Sequence, residues 1–403
     1  MAKKKTTFSF AEMQKTMEVI SKKAGILIDK DDKERTYINT DIYMLNALLS
    51  KSIYGGVADN RMTVFAGPEA VGKSYLCYNI ARNAQKKGKN VIYIDTEFSI
   101  ELSELKDFGI DVSPEKFMLI RSNKVEDIKL MMAQFLSKLK EEKMAGNDID
   151  ETIVFLDSIG QLASNKEVED AIDGKNKVDM SRAKAIKSLF RIINADLGYL
   201  DIPLICTNHT YKTMDLFPQD VQGGGKGVDY SASSIVFLSK AQLKTGGEDD
   251  LDLNSSGILV TAKAKKNRNA KPKKIKFEIN HSSGVNPFVG LEYFCTPENF
   301  DKVGVAKVKK VIDKTTKEVT YVEGGTKWYV KHLDKSFYSK QLFSPNIFTK
   351  DVLDSLEPII SKYFSYASQE EMERLMNDVI DDKEFENDSD FDIDDMSDKD
   401  LFD

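Results

Sequence analysis

Four short apolar runs set the rhythm of the chain: MTVFA (62–66), NVIYID (90–95), TIVFLD (152–157) and IPLICTN (202–208). Each is almost continuously hydrophobic and rich in β-branched or aromatic residues, the pattern of strands buried on both faces of a parallel sheet. Between them the period changes. Ile128, Met131, Phe135 and Leu139 recur at helical spacing within Glu126–Lys143, and Met180, Ala183, Ile186, Leu189, Ile193 and Leu197 do so within Asp179–Leu197. Such alternation predicts an α/β fold built of βαβ units with right-handed crossovers. After Ser233 the text turns to strands alone (SSIVFLSK, GILVTAKAK, KIKFEIN), which predicts antiparallel hairpins closing the sheet, with LKTGGEDDLDLNSSG (243–257) as a polar hairpin loop. Residues 1–35 read as an amphipathic helix followed by a charged turn, 36–290 as the core, and 291–380 as a smaller C-terminal domain of mixed helical text. Residues 381–403 are acidic and poor in core formers, which predicts disorder.

Composition narrows the class. With 41% hydrophobic and 31% charged residues the chain reads as soluble and globular. No run approaches the roughly 20 apolar residues of a membrane span. The basic start MAKKKTTFSF has no apolar stretch behind it, so a secretory signal is not expected. Cys77, Cys206 and Cys295 are odd in number and form no CxxC pair, which suits reduced thiols in a cytoplasm. His209, His281 and His332, the only histidines, are too few for a dedicated zinc site. Charge is unevenly spread. Residues 381–403 hold 12 acidic residues and 2 lysines, a local −10, so with −7 overall the first 380 residues carry +3. A mildly basic body with an acidic tail is compatible with a nucleic-acid partner.

The sharpest chemical signal is GPEAVGKS, Gly67–Ser74, lying between the run MTVFA and the helical text SYLCYNIARNAQ. It matches the GxxxxGK[ST] phosphate loop in the strand–loop–helix context that the motif requires. Gly67 and Gly72 let the loop wrap phosphates closely, and the N–H groups of Pro68's successors Glu69, Ala70, Val71, Gly72, Lys73, Ser74 and Tyr75 lead into a helix N-terminus. Lys73 supplies a mobile cation for the β- and γ-phosphates of ATP, and the Ser74 hydroxyl a ligand for Mg²⁺. TIVFLDS ends in Asp157, at the sheet edge where open α/β sheets bind ligands; Asp157 would hold Mg²⁺ through water and Ser158 would orient it. VIYIDTE ends in Asp95 and Glu97. Glu97 is the candidate to orient or deprotonate the attacking water, and Asp95 the candidate structural carboxylate.

The run DSIGQLASNKEVEDAIDGKNKVDMSRAKAIKSLFRII, Asp157–Ile193, narrows the choice among phosphate-loop proteins. With IDTEF (94–98), NHTY (208–211) and GGGKGVDYSAS (223–233), it resembles the core of the phage UvsX recombinases of the RecA superfamily, in consistent order over about residues 35–295. The resemblance implies a RecA-like ATPase core with a central, mostly parallel sheet. It also implies an ATP- and Mg²⁺-dependent recombinase, a helical filament on single-stranded DNA that catalyses pairing with homologous duplex and strand exchange. Carried over by position, Glu167–Val178 is the first DNA-binding loop, with Glu167, Lys175, Lys177 and Arg182 as contacts. His209–Val228 is the second, with Tyr211, Lys212, Gly223, Gly224, Gly225 and Lys226. His209 stands where the family has its γ-phosphate sensor, a glutamine in RecA itself. Lys266 and Arg268 match the basic pair that reaches the ATP of the neighbouring subunit. A single-strand-binding protein, a mediator protein and a phage-encoded life in a bacterial cytoplasm are implied on the same footing. The phosphate loop is intact here, whereas some UvsX members depart from it, and SIELSEL (99–105) offers no counterpart to the tyrosine that RecA stacks on adenine.

Without the family, several of these residues have plainer readings. Lys184, Lys187 and Arg191 form a basic stripe that suits either a phosphate backbone or a solvated helix face. His209 alone would be an ordinary strand-end histidine. Lys263–Lys276 holds eight basic residues in fourteen positions, a density that points to nucleic acid or an interface. Phe8, Phe10, Ala11, Met13, Met17 and Ile20 suit either docking on a second subunit, with a weak FxxA resemblance to eukaryotic recombinases, or packing on the chain's own core. The acidic tail could compete with DNA, bind a mediator or merely solubilise. Two rivals stay open: a RecA-fold helicase or translocase, and a non-catalytic paralogue that loads filaments.

Overall fold

The computed structural model describes residues 9–24, 35–174, 181–213, 220–244 and 255–373. The apolar runs are strands: β1 (Met62–Ala66), β2 (Asn90–Asp95), β4 (Thr152–Asp157) and β5 (Leu204–Asn208), joined at the edge by β3 (Phe117–Arg121). Four more follow: β6 (Ser234–Lys244), β7 (Ser255–Asn267), β8 (Lys274–Asn280) and β9 (Gly284–Asn286). They make one nine-stranded sheet in the order β9-β8-β7-β6-β1-β5-β4-β2-β3. The pairings from β6 to β3 are parallel, with Val64 beside Cys206 and Asp95 beside Asp157; those from β6 to β9 are antiparallel hairpins.

Because successive side chains on a strand point to opposite faces, continuous apolar runs feed two cores. Phe65, Tyr93, Phe155 and Val236 face α2 (Tyr43–Ser50) and α3 (Lys73–Lys86). Val64, Ile94, Leu156 and Cys206 face α4 (Val125–Ala145) and α6 (Ser181–Tyr199). On α4 the buried stripe is Ile128, Met132 and Leu136; the expected Met131, Phe135 and Leu139 lie half-buried at its flank. Strand β3 carries no clear sequence signal because it is an edge: Met118 is exposed and Arg121 ends it, so its apolar run is broken.

The region after residue 290 differs from its helical reading. It holds five short strands (Val305–Ala306, Val308–Ile312, Val319–Glu323, Trp328–Val330 and Lys335–Phe337) before α8 (Lys350–Phe364), if the two short helices α5 (Asn165–Ile172) and α7 (Lys226–Ser231) are numbered in the core. Strands of two to five residues are too short to show a period of two. Helix α8 buries Leu353, Leu356, Ile360 and Phe364 in the same apolar cluster as Leu45 and Leu48 of α2. Residues up to Phe364 form one unit. In the next, the described Ser365–Glu373 begins a helical turn in which Ser368 and Glu371 exchange hydrogen bonds.

Helix α1 (Phe10–Ala24) leaves Phe10, Met13, Met17 and Ile20 exposed, so these residues are not packed on the chain's own core. Phe8, the middle of the polar 243–257 loop and the acidic 381–403 tail lie outside the described residues, although the strands flanking that loop do pair as a hairpin. Among the described residues no helix is long and apolar enough to cross a membrane.

Phe155 is fully buried and stacks on Tyr93, ring centroids 5.2 Å apart. Phe155→Ala is expected to cost about 3–5 kcal/mol of stability, whereas Met118→Ala on the exposed edge should stay within about 0.5 kcal/mol. Urea unfolding of the two variants measures the contrast.

Candidate nucleotide site

All of the parallel strands end on the same edge, and the phosphate loop rises there from β1. Gly72 has φ +88°, and a Cβ on it would lie 2.5 Å from the Ile279 side chain, so only glycine fits. A Cβ on Gly67 would meet the Leu238 carbonyl oxygen at 2.7 Å. The Gly67 N–H donates to the Asn208 carbonyl (3.1 Å), fixing the loop's start to β5. The Lys73 ammonium curls back and donates to the carbonyls of Gly67 (2.9 Å) and Pro68 (2.8 Å). Burial lowers its pKa, and the nearby Asp157 and Glu97 carboxylates oppose that. Glu69 and Ala70 line the outer loop, where the Ala70 carbonyl accepts from Lys240 (3.1 Å) and Val71 is buried beneath. Tyr75 turns away from the loop: its ring lies edge-on to Phe108 and its hydroxyl accepts from the Val285 N–H at 3.1 Å. Only the Tyr75 backbone N–H is left to serve a phosphate.

Asp157 sits at the end of β4, 8% exposed. A buried carboxylate is costly unless donors surround it, and three hydroxyls do so here. Ser74 (2.8 Å) and Tyr93 (2.9 Å) donate to Oδ2, and Thr207 donates to Oδ1. Ser158 does not orient Asp157 as expected. Its hydroxyl donates to Glu97 Oε1 at 2.8 Å, and its N–H donates to the Thr96 hydroxyl at 2.7 Å. His209 Nε2 reaches the same Glu97 oxygen at 3.2 Å. Asp95 is structural: its carboxylate accepts the N–H groups of Glu97 and Ile100, both at 3.0 Å, and shapes the turn that presents Glu97. Lys73, Ser74, Glu97, Asp157 and His209 therefore belong to one continuous site.

The residues expected at DNA fall into three groups. Glu167 is spent locally, in a capping box with Ser164 at the start of α5. Arg182 turns inward and donates to the carbonyls of Leu162 and Gly160, so it holds the segment after Asp157 in place. Lys175 and Lys177 lie outside the described residues. Tyr211, Lys212 and Lys226 are exposed, on or beside a short ladder pairing Thr210–Lys212 with Asp220–Gln222. Gly224 and Gly225 follow it at positive φ (+85° and +71°), and the Gly223 N–H donates to the His209 carbonyl at 3.2 Å. The pair Lys266 and Arg268 lies at the other edge of the sheet, at the end of β7, where the Lys266 ammonium donates to the Asp229 carbonyl (2.6 Å). Burial and then repulsion from Arg268 lower the pKa of Lys266.

Sequence reasoning missed Tyr93, Thr207 and Asn208. A buried tyrosine hydroxyl in an apolar strand needs a partner, which is a signal that Tyr93 serves a site. Asn208 joins the site to the ladder: its amide donates to Gln222 (3.3 Å) and to the Gly223 carbonyl (2.8 Å), while its carbonyl side-chain oxygen accepts the His209 N–H (2.9 Å). Two of these partners lie 14 and 15 residues on, so the block NHTY (208–211) marks Asn208 by resemblance but not the contacts it makes.

A glycine-bounded loop on a helix N-terminus, a lysine within it, and a serine–aspartate pair beside it define a P-loop nucleotide-binding protein. The RecA N-terminal domain family matches residues 11–286, and the chain belongs to the RecA family. It is 31% identical over 271 residues to the recombination and repair protein of Enterobacteria phage T4, covering 66% of this chain and 65% of that protein. It is 24% identical over 237 residues to the mitochondrial DNA repair protein recA homolog 3 of Arabidopsis thaliana (57% of this chain, 51% of the relative). It is 25% identical over 274 residues to the RecA protein of Thermus aquaticus (67% and 72%). The alignments with the phage and plant proteins thus span less than two thirds of those proteins.

Tyr93→Phe keeps the ring and removes one donor from the buried Asp157 carboxylate. Stability at neutral pH is expected to fall by about 1–3 kcal/mol, read as a shift in the urea midpoint with an unchanged slope.

Proposed function

We propose that this chain is an ATP-dependent recombinase that assembles on single-stranded DNA and pairs it with a homologous duplex. The observation that carries the reading is the contact between Glu97 and His209. It joins the candidate catalytic carboxylate to the residue just before the ladder on which Tyr211 and Lys212 are exposed, the link that this reading needs between nucleotide and DNA. The name of the phage relative and the RecA relatives support the same reading.

ATP is the nucleotide this reading expects, with Mg²⁺. Ser74 Oγ and Asp157 Oδ2 are hard oxygen donors 2.8 Å apart, and Mg²⁺ is commonly held by one or two protein oxygens together with phosphate oxygens and water. The ion would neutralise charge on the phosphate oxygens. The chain's own residues do the rest. Lys73 exchanges its two loop carbonyls for phosphate oxygens, and the N–H groups of residues 69–75 wrap them. Glu97, held by Ser158 and His209, accepts a proton from or orients the attacking water. Lys266 and Arg268 would act on the nucleotide of a second copy, stacked head to tail, so that hydrolysis depends on assembly. The exposed apolar face of α1 is the surface proposed to dock on that copy. Tyr211, Lys212, Lys226 and the exposed stripe of Lys184, Lys187 and Arg191 would hold the DNA backbone. Homology would then be tested by base pairing, not by side chains. A single-strand-binding protein and a mediator are further partners of this scheme, in a bacterial cytoplasm.

Hydrolysis of ATP by the purified chain is expected to be strongly stimulated by single-stranded DNA and to rise cooperatively with protein concentration. Arg268→Ala should abolish the stimulation and Lys73→Ala the hydrolysis itself. Rapid hydrolysis indifferent to DNA would refute the recombinase reading. Glu97→Gln should retain ATP, measured by binding of a fluorescent analogue, while slowing hydrolysis by about 10²–10⁴-fold.

A further inference from the structure

Residues 305–337 hold eight lysines and four carboxylates, an excess of four positive charges that the nucleotide site does not use. Within them Val308–Ile312 and Val319–Glu323 form a two-stranded hairpin. Asp313 shapes its turn by accepting the N–H groups of Thr315 (2.7 Å) and Thr316 (2.8 Å). The first strand lies against Trp328–Val330. Only the root of the hairpin is packed: Val308 is buried, and the Tyr321 ring lies on Phe300 and Tyr329 with centroids 4.8 and 5.4 Å away. Beyond the root both faces are apolar and open. Ile312 and its cross-strand partner Val319 lie on one face, and Val311 and Val322 on the other, each 45–54% exposed.

The second strand is also an unpaired edge. The Asp313 N–H donates to the Glu318 carbonyl (2.9 Å) and the Gly324 N–H to the Lys307 carbonyl (3.1 Å). Hydrogen-bonded pairs alternate along an antiparallel ladder, so the bonds between these two run through Thr320 and Val322. The N–H and C=O groups of Val319, Tyr321 and Glu323 point the other way, and among the described residues they meet no partner. Exposed edges are commonly blunted by lysine, proline or a bulge. The edge VTYVE contains no lysine or proline, and its pairing shows no shift of register. Lysines surround it instead. Lys309 stands across from Val322, and Lys314 and Lys317 lie in the turn. Lys310 is paired with Asp334 at 2.6 Å, but these three are in no ion pair among the described residues.

Like charge makes a second copy of this hairpin a poor partner, and the lysines favour an anionic one. A nucleic acid would meet the lysines and leave the outward backbone groups and the apolar faces unused. We propose that the Val319–Glu323 edge takes up an extended acidic protein segment with alternating apolar residues, added as a third strand. Backbone hydrogen bonds at Val319, Tyr321 and Glu323 would hold it, as in other cases of strand addition. Its apolar side chains would extend the two open faces, and its acidic end would lie by Lys314 and Lys317. The inference goes beyond the recombinase reading and does not depend on it.

The test is fluorescence anisotropy of a labelled synthetic peptide, alternating valine and threonine behind a short run of aspartates, titrated with the full-length protein. Saturable binding is expected. Val319→Pro removes an outward N–H and keeps the hairpin's own bonds, so it should weaken binding about tenfold, whereas Val319→Thr should bind as the wild type does. Lys314→Gln with Lys317→Asn should weaken binding several-fold and remove most of its salt dependence; asparagine suits the φ of +60° at Lys317. Emission from Trp328, the only tryptophan and buried beside the hairpin, reports whether a variant keeps its fold. Should Val319→Pro disturb that emission, the wild type decides alone: a peptide N-methylated at alternate residues should bind about tenfold more weakly. No binding of the acidic peptide, or equal binding of its N-methylated form, overturns the proposal. So does a single-stranded oligonucleotide that displaces the peptide and binds Val319→Pro as it binds the wild type, which would make the hairpin a nucleic-acid surface. Self-association of the wild type without peptide, lost in Val319→Pro, would assign the edge to a second copy and overturn it as well.

Discussion

The Asp157 carboxylate is the constraint on which the rest of the site depends. Buried at the end of β4, it is acceptable only because Ser74, Tyr93 and Thr207 give it hydroxyl hydrogens. These donors come from the P-loop helix α3 and from the two strands that flank β4. One buried charge therefore locks the helix carrying the phosphate loop to three strands of the sheet. Lose a donor and the carboxylate must either find another or move, and the loop geometry moves with it. The apolar packing beneath serves the same end: the Phe155 ring supports the Tyr93 ring that carries one of the hydroxyls.

Parallel pairing explains why the chemistry gathers where it does. Each strand from β6 to β3 ends on the same edge, and residues far apart in the chain (Gly67, Glu97, Asp157, His209) arrive there in register. The antiparallel continuation from β6 to β7 sends the chain back to the opposite edge, which is why Lys266 and Arg268 stand far from the P-loop of their own chain. On the proposed reading, a phosphate loop on one edge and a cluster of cations on the other would meet head to tail between two copies.

The division between legible and hidden features follows strand and loop physics. The core strands announced themselves because burial on two faces forces continuous hydrophobicity. Edge strand β3 and the short strands after residue 304 did not, since one exposed face, or a length of only two to five residues, erases the signal. The P-loop was readable because its backbone geometry demands fixed glycines. Ser158 was read as a partner of Asp157, its neighbour in sequence, yet the backbone turns its hydroxyl to Glu97. Arg182 and Glu167 were read as facing DNA, yet both are spent on holding nearby backbone in place.

By itself the sequence determined the α/β alternation, the phosphate loop with Lys73 and Ser74, and the carboxylates at the ends of two strands. All of these are local: a period, a spacing or a strand end suffices to define them. Which hydroxyls satisfy Asp157, and how His209 and Asn208 tie the site to the ladder that follows, were decided only in the tertiary structure. Those contacts join residues that are 50 or more positions apart or depend on which way a turn aims a side chain. Sequence spacing carries no record of either.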